Sequence, residues 1–291
     1  MSTQEGSTTQ RCAKHQLVYD AKKVHSGCVL CRAEPTSRPA TRSRWPLLAA
    51  ISIAVLAGGA LALVRSRSAV TPAAPASAPR SETRVLSSRN AAGRSGIAFL
   101  PHQLSDGPRP LLVLFHGTGG SGSAILEAFK GIAEQRGILL VAPDSGRSPD
   151  GAWNWQVADA PGELTDDRRH ATKCIDEVLA LPGVRVDMTR VLAAGHSGGA
   201  SSAPYLASHD SRFSAFAVLH GGVFPGGLGS NRIRGWFSTG DSDTLRTPES
   251  VRNAASSSAG VTGPLTLRTF AGGHELSPPE VQGLIDWWLG S

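Results

Sequence analysis

The stretch TRVLAAGHSGGASSAPYLASHD, residues 189–210, decides how the rest of the chain is read. It opens as an apolar strand, turns sharply through Gly195-His196-Ser197-Gly198-Gly199, and continues in small residues with the pattern of a helix. A serine on such a strand-to-helix turn has its hydroxyl held out above the sheet, and glycines two positions to either side keep the bend free of clashes. The five-residue pattern alone is common. With a strand before it and a helix after it, Ser197 becomes a candidate nucleophile rather than part of a structural glycine turn. Ser201 and Ser202 lie further along the helix, lack that placement and read as packing residues.

Outward from the turn, short apolar runs recur: LLVLF (111–115), ILLVAP (138–143), SAFAVLH (214–220), GWFSTG (235–240) and LTLRTF (265–270). Between and after them lie helical spacings, Ile125, Phe129 and Ile132, then Ile175, Val178 and Leu179, and last Val281, Leu284, Ile285 and Trp288. Strands alternating with helices imply a mainly parallel sheet covered on both faces. Functional groups in such sheets gather at the carboxyl ends of the strands.

Four motifs then carry a resemblance: a strand entering His-Gly in LLVLFHGTGGSG (111–122), the Arg-Val strand entering the serine turn, the Asp-bearing turn STGDSDTLRTP (238–248), and GGHE (272–275). Together they make residues 95–291 resemble the α/β-hydrolase superfamily, in its carboxylesterase, feruloyl-esterase and polyhydroxyalkanoate-depolymerase branch. The resemblance implies an α/β-hydrolase fold and the chain order Ser, Asp, His for the reacting groups. A serine hydroxyl needs a base to take its proton and a carboxylate to hold that base in the right tautomer.

Nine histidines compete for the base. His15 and His25 sit far upstream, His102, His116 and His170 precede the serine, and His196 and His209 are too near it for the layout the resemblance implies. His220 ends a strand and reads as structural. His274 remains, in AGGHELSPPE, before a helix whose start is marked by Ser277 as N-cap, Pro278 at N1 and Glu280 at N3. The acid is Asp241 or Asp243; the spacing usual in such relatives, three residues after a glycine, favours Asp243, leaving Asp241 as a turn former. Backbone N–H groups of Gly198 and of the loop after the first His-Gly, at Thr118 with Gly119 next, would stabilise the developing oxyanion. His116 and Gly117 match the loop entry, where the histidine supports the loop more than it reacts. Trp153, Trp155 and Val157 form either an aromatic pocket wall or a satellite cluster. Residues 223–234 are a second candidate rim.

The N-terminal third has a different character. Cys12-x2-His15 and Cys28-x2-Cys31 have the spacing of a structural zinc site, each spacer letting one tight turn present two ligands, and residues 1–35 resemble a short zinc ribbon. Thioredoxin-like redox chemistry at Cys28 and Cys31 is disfavoured, because no βαβ pattern surrounds them. A basic juxtamembrane stretch follows (36–44), then the twenty uncharged residues Trp45–Val64, long enough for a transmembrane helix. Arg32, Arg38, Arg42 and Arg44 before it, against Arg65 and Arg67 after it, place the N-terminus in the cytoplasm and the hydrolase domain outside. Residues 65–94, rich in Pro, Ala and Ser, read as a semi-rigid tether.

The net charge of +6 misleads about partners. Residues 95–291 carry 15 basic against 19 acidic groups, so the basic excess lies in the flanks and a nucleic-acid groove in the main domain is disfavoured. The sequence thus predicts a membrane-anchored serine hydrolase that acts on small-molecule or polymeric carboxylic esters and needs no cofactor for catalysis, with structural zinc and a protein partner assigned to the N-terminal segment. A peptidase or acyltransferase would use the same groups. A non-catalytic receptor or adaptor, with the zinc segment recruiting a protein partner, is the alternative of a different class.

Overall fold

The structure, a computed structural model, describes residues 9–11, 18–20, 81–102, 107–147, 151–156, 165–221 and 228–290. The chain divides into two compact units, Met1–Thr71 and Pro72–Ser291. In the first unit, strands β1 (Thr9–Arg11) and β2 (Val18–Asp20) pair antiparallel, with Gln10 opposite Tyr19. Cys12, His15, Cys28 and Cys31 lie outside the described residues, and so does the segment Trp45–Val64.

The expectation of a single-pass membrane protein is corrected. Among the described residues no helix is long and apolar enough to cross a membrane. The longest, Gly122–Arg136, has 15 residues and carries Glu127, Lys130, Glu134 and Arg136. At helical rise it reaches about 22 Å, short of the roughly 30 Å hydrocarbon layer.

The second unit is built on eight strands. In chain order its elements are β3 (Glu82–Val85), β4 (Gly96–Leu100), β5 (Arg109–Phe115), α1 (Gly122–Arg136), β6 (Leu139–Pro143), α2 (Asp166–Leu179), β7 (Val186–His196), α3 (Ser202–His209), β8 (Ala215–Leu219), β9 (Arg234–Gly240), α4 (Pro248–Ser258), β10 (Leu265–Phe270) and α5 (Pro278–Leu289). The strands lie in the order β3-β4-β6-β5-β7-β8-β9-β10. From β6 to β10 every pairing is parallel, while β4 runs antiparallel to both β3 and β6.

Sheet periodicity divides the core in two. Leu111, Val113 and Phe115 point to one face, where they meet Ile175 and Val178 of α2, Leu206 of α3 and Val251 of α4. Leu112 and Leu114 point to the other, against Ile125, Leu126 and Phe129 of α1 and Leu284, Ile285 and Trp288 of α5. Each fully buried side chain of this size stabilises the fold by about 1.5–3 kcal/mol before entropy is counted. The helix predicted after Ser277 is present, with both halves of the Ser277–Glu280 capping box formed and Pro278 in the first turn.

Strands β3 and β4 and helix α4 were not expected from the sequence. Residues 82–85, assigned to the tether from composition, form the edge strand β3, and Leu86 beyond it is buried. An edge strand needs only one row of ladder bonds, so its mostly exposed Glu82-Thr83-Arg84-Val85 shows no apolar run to read. The tether ends earlier, and Glu177 of α2 accepts hydrogen bonds from the backbone N–H groups of Ser87 and Ser88. Helix α4 gives no signal either. Its buried face is Val251, Ala254, Ala255 and Ser258, too small in volume to mark a periodicity.

Candidate active site

The carboxyl ends of β7, β8, β9 and the loop after β10 converge on Ser197. Gly195 ends the straight part of β7, and a Cβ there would meet the Gly199 carbonyl oxygen at 2.1 Å; one on Gly199 would meet the Phe115 carbonyl oxygen at 2.4 Å. Both are contacts with backbone, which cannot yield as a flexible side chain can. The glycines therefore let the chain fold back on itself at the turn. Ser197 itself sits in the left-handed region at φ 52°. Such a conformation costs a residue with a Cβ roughly 1–2 kcal/mol and is held by the surrounding packing.

The three groups singled out from the sequence meet. Asp243 Oδ2 lies 2.8 Å from His274 Nδ1, and His274 Nε2 lies 2.8 Å from Ser197 Oγ. With Nδ1–H donating to the carboxylate, Nε2 is free to accept the serine proton. The carboxylate is itself fixed, since Asp243 Oδ1 accepts from the backbone N–H groups of Leu245 and Arg246, both at 2.8 Å. Burial alone would raise its pKa. Hydrogen bonds from Arg246 N–H, His220, His274 and Leu245 N–H outweigh burial and hold it well below the usual carboxylate range.

Asp241 plays a different part. It is exposed, and its Oδ1 accepts from Gly272 N–H at 3.1 Å, which ties the turn after β9 to the loop bearing His274. The same two loops are pressed together at Gly240, where a Cβ would stand 2.2 Å from the Gly273 carbonyl oxygen.

The loop after β5 overlies the serine turn. A Cβ on Gly117 would lie 3.4 Å from Ser197 Cβ, and one on Gly198 would lie 2.9 Å from Thr118 N, 2.3 Å from Thr118 Oγ1 and 2.7 Å from Asn154 Oδ1. The backbone amides of Thr118 and Gly198 thus border one small space beside the serine. His116 supports this loop from below. Ser145 N–H donates to its Nε2 at 3.1 Å, so Nδ1 carries the proton and donates to Gly117 O at 2.7 Å. Trp155 braces the loop, being mostly buried, edge-on against Phe115 and donating its indole N–H to His116 O at 2.7 Å, and it also lines a small pocket with Phe115, Ser201 and Tyr205. Trp153 lies between the guanidinium groups of Arg94 and Arg147, and its carbonyl accepts from Gly119 N–H. Val157 and residues 222–227 lie outside the described residues.

Filling the space between the two amides has a direct consequence. Gly198→Ala is expected to lower turnover of an ester substrate about 10²-fold and also to lower the thermal midpoint, since its Cβ would press on Thr118 N and Asn154 Oδ1. Turnover unaffected by the methyl group would remove the oxyanion role from this pair of amides.

Three residues at the site were not recognised as part of it from the sequence. His196 is pushed down to about 4, chiefly by burial, and as a neutral ring its Nε2–H donates to His274 O at 2.9 Å. His220, set aside as structural, places Nδ1 2.8 Å from Asp243 Oδ2 and Nε2 3.1 Å from Glu280 Oε2. Glu280 was legible only as a helix cap. Among the described residues, His220, Asp243 and His274 also form a group whose ligand-type atoms lie within 4.8 Å of one another, and their mutual hydrogen bonds account for that closeness.

An eight-stranded sheet with an antiparallel second strand, a serine turn after the fifth strand and acid and histidine following in that order is the α/β-hydrolase fold. Solved structures with this fold include a carboxylesterase from Bacillus cereus (20% identity, TM-score 0.51, 69% of this chain and 95% of that one). A carboxylesterase from Mesorhizobium loti (17%, 0.54, 72% and 99%) and the protein TT1662 from Thermus thermophilus (19%, 0.51, 73% and 99%) are likewise similar. No protein-family model matches the chain, and no curated protein matches it.

Proposed function

We propose that residues 81–290 form a serine hydrolase that cleaves carboxylic ester bonds through an acyl-enzyme. The observation that carries this reading is the unbroken line of hydrogen bonds from Asp243 through His274 to Ser197, each 2.8 Å long. Ser197 Oγ attacks the carbonyl carbon as His274 Nε2 takes its proton, and the N–H groups of Thr118 and Gly198 receive the negative charge on the carbonyl oxygen. His274 returns the proton to the leaving alcohol, and water then releases the acid by the same steps in reverse. Cys174 does not compete as nucleophile, because burial pushes its thiol up to about 12.

Similarity to carboxylesterases in fold favours esters over amides. Incubating the full chain with a fluorophosphonate probe is the most direct test, followed by a panel of p-nitrophenyl esters under pre-steady-state conditions. The expected results are labelling at Ser197 and a burst of one p-nitrophenol per site. A folded protein that reacts with neither is not a serine hydrolase.

A further inference from the structure

Four buried side chains beside the ends of β8 and β9, Trp236, Ser238, Glu280 and His220, form one hydrogen-bonded chain that leads to Asp243 and that the reaction itself does not require. Trp236 Nε1–H donates to Ser238 Oγ at 2.9 Å, and Ser238 Oγ–H donates to Glu280 Oε1 at 2.6 Å. An indole N–H is only a donor, so the serine hydroxyl has its proton left for the carboxylate. Glu280 Oε2 faces Ser277 N–H at 3.5 Å and His220 Nε2 at 3.1 Å. Both oxygens of Glu280 therefore meet donors, and the residue sits in the first turn of α5.

His220 stands between two carboxylates, with Asp243 Oδ2 at one ring nitrogen and Glu280 Oε2 at the other. All three side chains are at most 2% exposed. A neutral imidazole donates from one nitrogen only and would turn a lone pair toward the other carboxylate. The imidazolium donates to both. Burial by itself lowers the pKa of His220, yet its hydrogen bonds and attraction to Glu280 and Asp243 outweigh burial and hold it above the usual histidine value. Its backbone is strained too. At φ 53° it is, with Ser197, one of two non-glycine residues with positive φ among the described residues, and the two end neighbouring strands.

We propose that His220, held as an imidazolium by Glu280, is a positioning residue for the Ser197–His274 pair. It fixes the Asp243 oxygen that His274 shares, and its charge cancels that of Glu280. Asp243 then acts on His274 as one net negative charge instead of part of two. The other ionisable groups around His220 are the rings of His196 and His274, with centroids at 5.4 Å each, and the exposed carboxylate of Glu275. His196 is neutral above about pH 4 and does not add to the balance.

The activity arm of the test rests on the serine-hydrolase reading; the spectroscopic arm does not. In the wild-type full chain with ¹⁵N-labelled histidine rings, one imidazole should keep both ring N–H groups to a higher pH than an ordinary histidine does. That signal should vanish in His220→Asn and lose its persistence at high pH in Glu280→Gln. A wild-type spectrum in which every ring loses its second N–H at or below the usual histidine value overturns the proposal, whatever the variants do.

The second arm follows the rate of fluorophosphonate labelling against pH. His220→Asn keeps a donor near Asp243 but leaves Asp243 and Glu280 as two uncompensated carboxylates. The acidic limb of the labelling profile should then move up by about one pH unit. The double variant His220→Asn/Glu280→Gln removes both charges and should bring the limb back. A purely structural role predicts slower labelling in both with no such return. An unmoved limb in the single variant, or one still displaced in the double, sinks the positioning role. If the wild type is not labelled at all, the esterase reading fails while the ring spectrum still decides the charge on His220.

Discussion

Ser197→Ala is expected to lower ester turnover by about 10⁶-fold and to abolish fluorophosphonate labelling while the protein stays folded. The expectation follows from how isolated the hydroxyl is. His274 Nε2 has Ser197 Oγ as its hydrogen-bond partner at 2.8 Å, and Ser201 and Ser202 lie a turn further along the chain. With the oxygen gone, the Thr118 and Gly198 amides remain, and they would support a residual rate about 10³-fold above that in water. Stability should change little, since alanine meets the same left-handed backbone as serine. Ser197→Gly adopts φ 52° without the Cβ clash and should be inactive yet more stable than the wild type by about 1 kcal/mol. Thermal melting of the three proteins alongside labelling tests both halves. A Ser197→Ala protein that still labels would move the nucleophile elsewhere.

The second large effect separates the two aspartates. Asp243→Asn is expected to reduce kcat about 10⁴-fold, whereas Asp241→Asn should leave it within about threefold. The size of the first follows from which end of the amide must face the histidine. Two backbone N–H groups, of Leu245 and Arg246, point at the Asp243 Oδ1 position and will select the amide oxygen of asparagine. The NH₂ group then occupies the Oδ2 position, facing Nδ1 of both His274 and His220. His274 is driven to the tautomer with its proton on Nε2, and it can no longer accept from Ser197. Asp241 is exposed and braces Gly272 from outside, so its amide can still accept that bond. Comparable losses in the two variants would mean that loop bracing, not the tautomer, sets the rate.

Much of the fold could be read because parallel strands buried on both faces are written as continuous apolar runs. LLVLF (111–115), VLAAG (191–195) and AFAVL (215–219) all lie in central strands, where neighbours on both sides and helices on both faces leave no polar position. The antiparallel edge escaped notice for the opposite reason. Glu82–Val85 is held by backbone bonds to β4, and its side chains remain largely in solvent. Helix α4 was hidden by its Ala and Ser content. The expected membrane span and zinc ligands fall on residues outside those described, and within the described residues every helix is too short or too charged to span.

The sequence by itself marked the serine turn and the cap that starts α5, while the order of nucleophile, acid and base was implied by the family resemblance. The turn and the cap are local matters of glycines, spacing and one side chain bonding its own backbone. The tertiary structure alone set Asp243 against His274 and Asp241 against Gly272, and it alone brought His196, His220 and Glu280 around His274. Those contacts join residues 23 to 78 positions apart across three strand ends and a helix. No local pattern encodes them, because the distance between two buried side chains depends on how every strand between them is ordered and how far each one reaches.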